Sequence, residues 1–289
     1  MEQTTYIHWP SRKSYPFYVL AFIAVLCHSC REQVTTPAGR SDDAQISFIC
    51  ASTQLMNING YGISDGVVLI DNTDSAFPQV RPDISNQPFF SAADKFMYPF
   101  SEFNTTLTVP WIFYMHLYPG KHSFTLLDTG LLFRAVDQFQ LPANAPVSIY
   151  YADSMGFFRS LVLQDQFTTN NSQVNLRFLD LSPDAGKIFF TIDEQPAAVQ
   201  GFDSTYSYGQ HSAFVNFPNP LSDTLRINFY QAGDSVDVIA REFLQADPGH
   251  AYTFALQGYY NTNPSYIDPL TGHFENPLGG LSILVNKNY

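Results

Sequence analysis

From about residue 45 onward, apolar and polar side chains alternate along the chain. Val174, Leu176 and Phe178 are interleaved with Asn175 and Arg177, and Leu225, Ile227 and Phe229 with Arg226 and Asn228. Phe124 and Leu126 flank Thr125 in the same way. Successive side chains of a strand point to opposite faces, so this pattern predicts strands buried on one face and wet on the other, as in antiparallel sheets. No segment keeps apolar residues at helical spacing for three turns. Turn signals stand between the runs: Pro119-Gly120, Asn144-Ala145-Pro146, Asp184-Ala185-Gly186, Pro218-Asn219-Pro220 and Asp247-Pro248-Gly249. Short strands with frequent turns predict an all-β chain of antiparallel β-sandwich domains.

A weak internal repeat divides those strands in two. The segment beginning at Ala44 (AQISFICAS) resembles the one beginning at Ser172 (SQVNLRFLDLS), with Gln45 on Gln173, an offset of 173 − 45 = 128. Further on, Gly156-Phe157-Phe158 resembles Gly258-Tyr259-Tyr260, an offset of 258 − 156 = 102. The first copy then carries 128 − 102 = 26 additional residues, assigned to the poorly periodic stretch 71–105. The expected organisation is two tandem domains, a first sandwich over 45–168 with the inserted loop 71–105 and a second over 172–289.

The first 30 residues are different. Arg12 and Lys13 lead into an apolar run, Phe17–Cys27, of eleven residues. A membrane-spanning helix needs about 20 apolar residues, so this run reads as a secretory signal. Its end, Leu26-Cys27-His28-Ser29-Cys30, resembles the lipobox of bacterial lipoproteins, with Ser29 before the cysteine that receives lipid; Cys27 departs from the usual aliphatic residue. The alternative is ordinary secretion with cleavage nearby. On the lipoprotein reading, 1–29 is the signal peptide, Cys30 is lipidated, and 30–44 is a polar flexible tether. The segment Ser29–Glu32 is similar to that of Bacteroidetes lipoproteins. Acyl chains on Cys30 imply a membrane partner and an outer-membrane, cell-envelope location, periplasmic or surface-exposed. Cys50 is then the one cysteine left, which excludes an intrachain disulfide; its alternation with Ile46 and Phe48 predicts a buried core position.

Composition narrows the function. The 26 Phe and 17 Tyr exclude disorder as the main state. Lys and Arg number 14 against 26 acidic residues, a net charge of −12, which makes nucleic acid an unfavourable partner. Removing residues 1–29 takes away a net +1, so the mature chain carries −12 − 1 = −13. No motif gathers metal ligands: His116, His122, His211, His250 and His273 form no pair at metal-binding spacing. Asp71-Asn72-Thr73-Asp74 lacks the spacing of a calcium loop. There is no GxSxG, no Ser-x-x-Lys with partners and no Gly-rich phosphate loop. The sequence therefore points to no catalytic residues, no metal and no cofactor, and to a protein that is not an enzyme.

Aromatic residues in loops offer the strongest binding signal. Trp111 follows the insertion, and Tyr259, Tyr260 and Tyr266 lie in the C-terminal stretch among Asn, Pro and Gly. Such rings stack on sugar faces or anchor a protein partner, or else plug the sandwiches and cement an interface. A second pattern, Asp followed by a hydroxyl residue, recurs at Ser75, Ser154, Ser204, Thr224 and Ser235. It resembles the O-glycosylation acceptor of exported Bacteroidetes proteins.

Val174–Ala185 with its Ser182-Pro183-Asp184-Ala185, the strand Lys187–Asp193, Tyr206-Ser207-Tyr208-Gly209 and the closing Pro248-Gly249-His250-Ala251-Tyr252-Thr253-Phe254 together look like the bacterial family called domain of unknown function 4397. The match spans about 172–260; the first copy has Ser52-Thr53-Gln54 in place of the SPDA motif. The resemblance implies immunoglobulin-like sandwiches in secreted or lipid-anchored proteins and supplies no catalytic residue. The expected function is that of a non-enzymatic cell-envelope lipoprotein that binds a glycan or an envelope protein, in adhesion or envelope assembly. The alternatives are a glycan- or peptide-cleaving enzyme with dispersed acids, and a purely structural scaffold.

Overall fold

The computed structural model describes residues 44–52, 66–71, 89–91, 95–97, 114–128, 132–168, 170–218, 224–277 and 279–288. Ser41–Tyr289 form one compact unit. The expected signal peptide, the candidate lipidation site Cys30 and nearly all of the expected tether lie outside the described residues.

Among the described residues all the regular structure is β apart from one turn of 3-10 helix at Ala197–Gln200. The first half contains β1 (Ala44–Cys50), β2 (Gly66–Ile70), β3 (Phe89–Ser91), β4 (Lys95–Met97), β5 (Met115–Leu117), β6 (Gly120–Leu127), β7 (Phe133–Leu141), β8 (Pro146–Ser154) and β9 (Phe157–Gln164). The second contains β10 (Gln173–Asp180), β11 (Ile188–Ile192), β12 (Gln195–Pro196), β13 (Val215–Pro218), β14 (Thr224–Gln231), β15 (Ala240–Gln245), β16 (Ala251–Tyr259), β17 (Tyr266–Ile267), β18 (Phe274–Glu275) and β19 (Gly280–Lys287).

The two halves repeat one strand order. Sheet β5-β1-β8-β9 has its counterpart in β13-β10-β16-β19, and β4-β3-β2-β6-β7 in β12-β11-β14-β15 with one extra edge strand, β4. Nearly all pairings are antiparallel; β1 with β8 and β10 with β16 are the parallel ones. The bonds at the strand ends fix how the two copies correspond: Ala51 N–H donates to Tyr151 O where Leu181 N–H donates to Leu256 O, and Asp165 N–H donates to Pro146 O where Asn288 N–H donates to Ala251 O. That sets Ala51 on Leu181, an offset of 181 − 51 = 130 and not the expected 128, and Tyr151 on Leu256, an offset of 256 − 151 = 105 and not 102. Ile46 and Phe48 then enter the first core where Leu176 and Phe178 enter the second, and β8 and β16 coincide from end to end. Gly258, within β16, falls on Asp153 and not on Gly156, which sits in the turn after β8.

Each half closes a core between its two sheets. In the first, Ile46, Phe48, Val147, Ile149 and Tyr151 pack on Val68, Phe124 and Leu126. In the second, Phe178 is the hub of a ring cluster, with centroids of Tyr206, Phe190, Phe229 and Phe254 at 4.8, 4.9, 5.3 and 5.4 Å. These tilted and edge-on pairs each add about 0.5–1.5 kcal/mol beyond simple burial.

A third cluster joins the halves. Ala51, Tyr150, Ala152 and Leu163 from the first half pack on Leu179, Leu181 and Ala255 from the second. Tyr150, Ala152, Leu179 and Ala255 lie on the outward faces of β8, β10 and β16, so these central strands are buried on both sides. That corrects the expectation of one wet face for β10: Asn175 and Arg177 are 1% and 2% exposed. Polar residues tolerate this position because they pair across it. Arg177 Nη2 donates to Asp165 Oδ1 at 2.5 Å and Nε to Thr253 Oγ1 at 3.0 Å. The guanidinium also lies 4.3 Å from the Phe214 ring centroid. The other Asp165 oxygen accepts from Ser148 Oγ at 2.5 Å and from Tyr114 OH at 2.6 Å. Breaking a buried pair leaves a bare charge, so Arg177→Met should lower the unfolding free energy by about 3–5 kcal/mol. Denaturant titration of the two proteins measures this; a change below about 1 kcal/mol would remove the pair from the interface argument.

Candidate functional site

A cleft of about 240 Å³ opens where the β8–β9 turn meets the loop between β17 and β18, lined by Phe133, Arg134, Gly156, Phe157, Phe158, Pro269 and Leu270. The β8–β9 connection is a two-residue turn with φ of 52° at Met155 and 84° at Gly156, the signature of a tight hairpin of the type I′ kind. It throws Phe157 outward, 67% exposed, beside Phe133 at 41% and Leu270 at 52%. Gly156 is required twice over: its φ is positive, and a Cβ there would stand 2.6 Å from Pro269 Cδ.

The floor is held by charge. Arg134 follows an irregularity in the β6–β7 ladder, and its side chain is buried. Its Nε donates to Asp128 Oδ2 at 2.6 Å, and Nη1 donates to both oxygens of Asp268 at 2.9 and 2.7 Å. Burial pushes the Asp268 carboxyl up, but the Leu270 N–H and the Arg134 guanidinium outweigh it and hold the group below the usual carboxylate range. Alternation along β17 does the rest: Tyr266 and Asp268 face inward, while Ile267 is exposed opposite Phe274.

Behind the cleft, Asp153 accepts from Ser52 Oγ and from Tyr259 OH, both at 2.5 Å, and Met155 N–H donates back to the same tyrosine hydroxyl at 2.9 Å. Burial, then the neighbouring Asp153, pushes the Tyr259 hydroxyl far above its ordinary value, so it stays protonated. The predicted aromatics thus separate. Tyr259 is 1% exposed and Tyr266 is buried beside it, so both cement the junction and present no open ring face; Tyr260 is exposed. Trp111 lies outside the described residues, as does Ser75. Of the remaining hydroxyl positions, Ser204, Thr224 and Ser235 are exposed, whereas Ser154 follows the buried Asp153. Among the described residues no three metal-ligating side chains converge. Cys50 lies in the first core.

The SPDA motif has a mechanical role. Asp184 Oδ1 and Oδ2 accept from the N–H groups of Tyr260 and Asn261 at 2.6 and 2.9 Å, tying the β10–β11 corner to the loop after β16. Just before it, Asp180 is wholly buried, with one oxygen accepting from Ser182 N–H at 3.1 Å and the other without a partner. Burial, offset only in part by that N–H, pushes its carboxyl up to about 7.

No protein-family model matches the chain. No curated protein matches it either. Among solved structures, one similar chain is a candidate cell adhesion protein from Bacteroides fragilis, 9% identical, covering 86% of this chain and 98% of its own, at a TM-score of 0.21. Another is a candidate cell adhesion protein from Bacteroides ovatus, 8% identical with the same coverages, at a TM-score of 0.18. At those scores the likeness carries no functional inference.

Two outcomes follow from this geometry. Gly156→Ala strains the turn and presses on Pro269, and a melting experiment should show it destabilised by about 1–3 kcal/mol. Asp180 binds its proton more tightly folded than unfolded, so it contributes nothing at pH below the unfolded value. It then weakens the fold progressively up to about pH 7 and by a constant amount above. Asp180→Asn should therefore stabilise the protein by on the order of 3 kcal/mol at pH 8 and by almost nothing at pH 4, read from denaturant midpoints at the two pH values.

Proposed function

We propose that the protein is a non-enzymatic binding module of a bacterial cell envelope, lipid-anchored through Cys30, and that the cleft between the β8–β9 turn and the β17–β18 loop takes an apolar segment of an envelope protein. The observation that carries this reading is the exposure of Phe157, Phe133 and Leu270 around a cleft whose one charged side chain, Arg134, is already paired to two carboxylates. Large apolar side chains left in water around a concavity are a mark of interaction sites. With Arg134 committed to Asp128 and Asp268, the lining offers a sugar no polar side chain to orient its hydroxyls, which favours a protein segment over a glycan here. The tight ion pairs also keep the cleft rigid, so little ordering is needed on binding.

A photo-crosslinking amino acid placed at Phe157 in intact cells tests the reading, with the same group at Val236, which is 82% exposed, as the comparison. The expected result is one discrete adduct from position 157, lost on Leu270→Asp, and none from position 236. Equal adduct patterns from the two positions, or none from either, would remove the cleft as a binding site. Sensitivity to protease added to intact cells, with Cys30→Ala in parallel, tests the anchor: loss of membrane association in the variant is the outcome expected.

A further inference from the structure

The outer face of sheet β12-β11-β14-β15 lies in the second half and is independent of the cleft. Strand alternation sends Ile188, Phe190, Ile192, Leu225, Ile227, Phe229 and Leu244 into the core. The outward positions read Phe189 and Thr191 on β11, Arg226, Asn228 and Tyr230 on β14, and Arg241 and Phe243 on β15. The ladders set Phe189 opposite Tyr230, Asn228 opposite Arg241, and Arg226 opposite Phe243. Phe189 and Tyr230 stack with centroids 5.1 Å apart and planes 16° from parallel. Phe243 is 58% exposed.

The charge of this face runs against that of the chain. The second half has five cations, Arg177, Lys187, Arg226, Arg241 and Lys287. Two are neutralised elsewhere, Arg177 by Asp165 and Lys287 by Asp247. The other three collect here: Lys187 directly precedes β11, and Arg226 pairs with Glu194 at the edge of the sheet. Among the described residues Lys187 and Arg241 have no acidic partner. Arg241 Nε donates to Asn228 Oδ1 at 2.7 Å, which fixes the guanidinium on the sheet.

We propose that this face binds a carboxylated glycan, with the Phe243 ring against the apolar face of a sugar and Arg241 paired to its carboxylate. A surface in which Phe243 stands opposite Arg226 and Tyr230 beside Asn228 matches a pyranose ring, apolar on its faces and polar around its rim. It does not match an apolar protein segment, which needs contiguous apolar area. Arg presents a fork that meets a carboxylate through two parallel hydrogen bonds. A nucleic acid also combines rings with negative charge, but its charge density is high, and a chain of net charge −12 repels it beyond this one face.

The test is binding of the full mature chain to polygalacturonate, to its methyl ester and to a single-stranded oligonucleotide, by affinity electrophoresis at low and moderate salt. The acid form should bind about tenfold tighter than the ester, and Arg241→Gln should abolish that difference. Phe243→Ala should weaken both forms by about tenfold, and Phe157→Ala in the cleft should change neither. Because Phe243 and Arg241 are exposed, the variants should melt with the parent. Equal binding of acid and ester, absence of binding, parental affinity in both variants, or tighter binding of the oligonucleotide would each overturn the assignment.

Discussion

The arrangement of this protein depends on burying the backs of two sheets against each other, and the Arg177–Asp165 pair is what makes that possible. β10 and β8 carry polar side chains on the faces that meet, and such groups are costly to bury unless each finds a partner. Asp165 lies just beyond β9 and reaches Ser148 on β8, Tyr114 before β5 and Arg177 on β10, so one carboxylate links both halves of the chain. Arg177 in turn reaches Thr253 on β16, whose hydroxyl donates to Asn288 at 2.6 Å. The pairing supplies geometric specificity more than energy: many apolar surfaces would stick together, but this set of donors and acceptors is satisfied in one register.

The same junction positions the cleft. At the far end of the interface, Asp153 and Tyr259 lock the β8–β9 turn to β16, while Arg134 and Asp268 lock β7 to the β17–β18 loop. Every wall of the cleft is thus tied to the other half of the chain by a buried polar contact. Exposed aromatics held by such a frame can offer area to a partner without first having to be ordered.

Much of the fold was legible in the sequence because alternation is a local property. Val174, Leu176 and Phe178 announce both the strand and its core face, but laying Gln45 on Gln173 misses the structural match by two residues, because a shift of two leaves a period-two pattern unchanged. What the pattern could not show is that Arg177, a polar residue at an outward position, would meet a carboxylate in place of water; period-two alternation is the same for a wet face and for a polar interface. The aromatics misled for a related reason. Tyr259 and Tyr266 stand among Asn and Pro as loop residues do, yet both are buried at the junction, where the Tyr259 hydroxyl donates to Asp153. The exposed ring, Phe157, followed a glycine whose signal was a tight turn, and Met155-Gly156 was the cue that a side chain next to it would be thrown outward.

The parallel pairings have a consequence for how the chain is made. Gln45 in β1 pairs with Pro146 in β8, 146 − 45 = 101 residues later. Asn175 in β10 likewise waits for Ala251 in β16. A central strand of each half therefore cannot be completed until most of that half exists, and contacts so distant in sequence slow folding. An emerging chain of this kind stays extended and open for a long interval. During that interval the unclosed sheet edges of neighbouring copies are free to pair with one another, so crowding at synthesis works against this fold more than against one made of local hairpins.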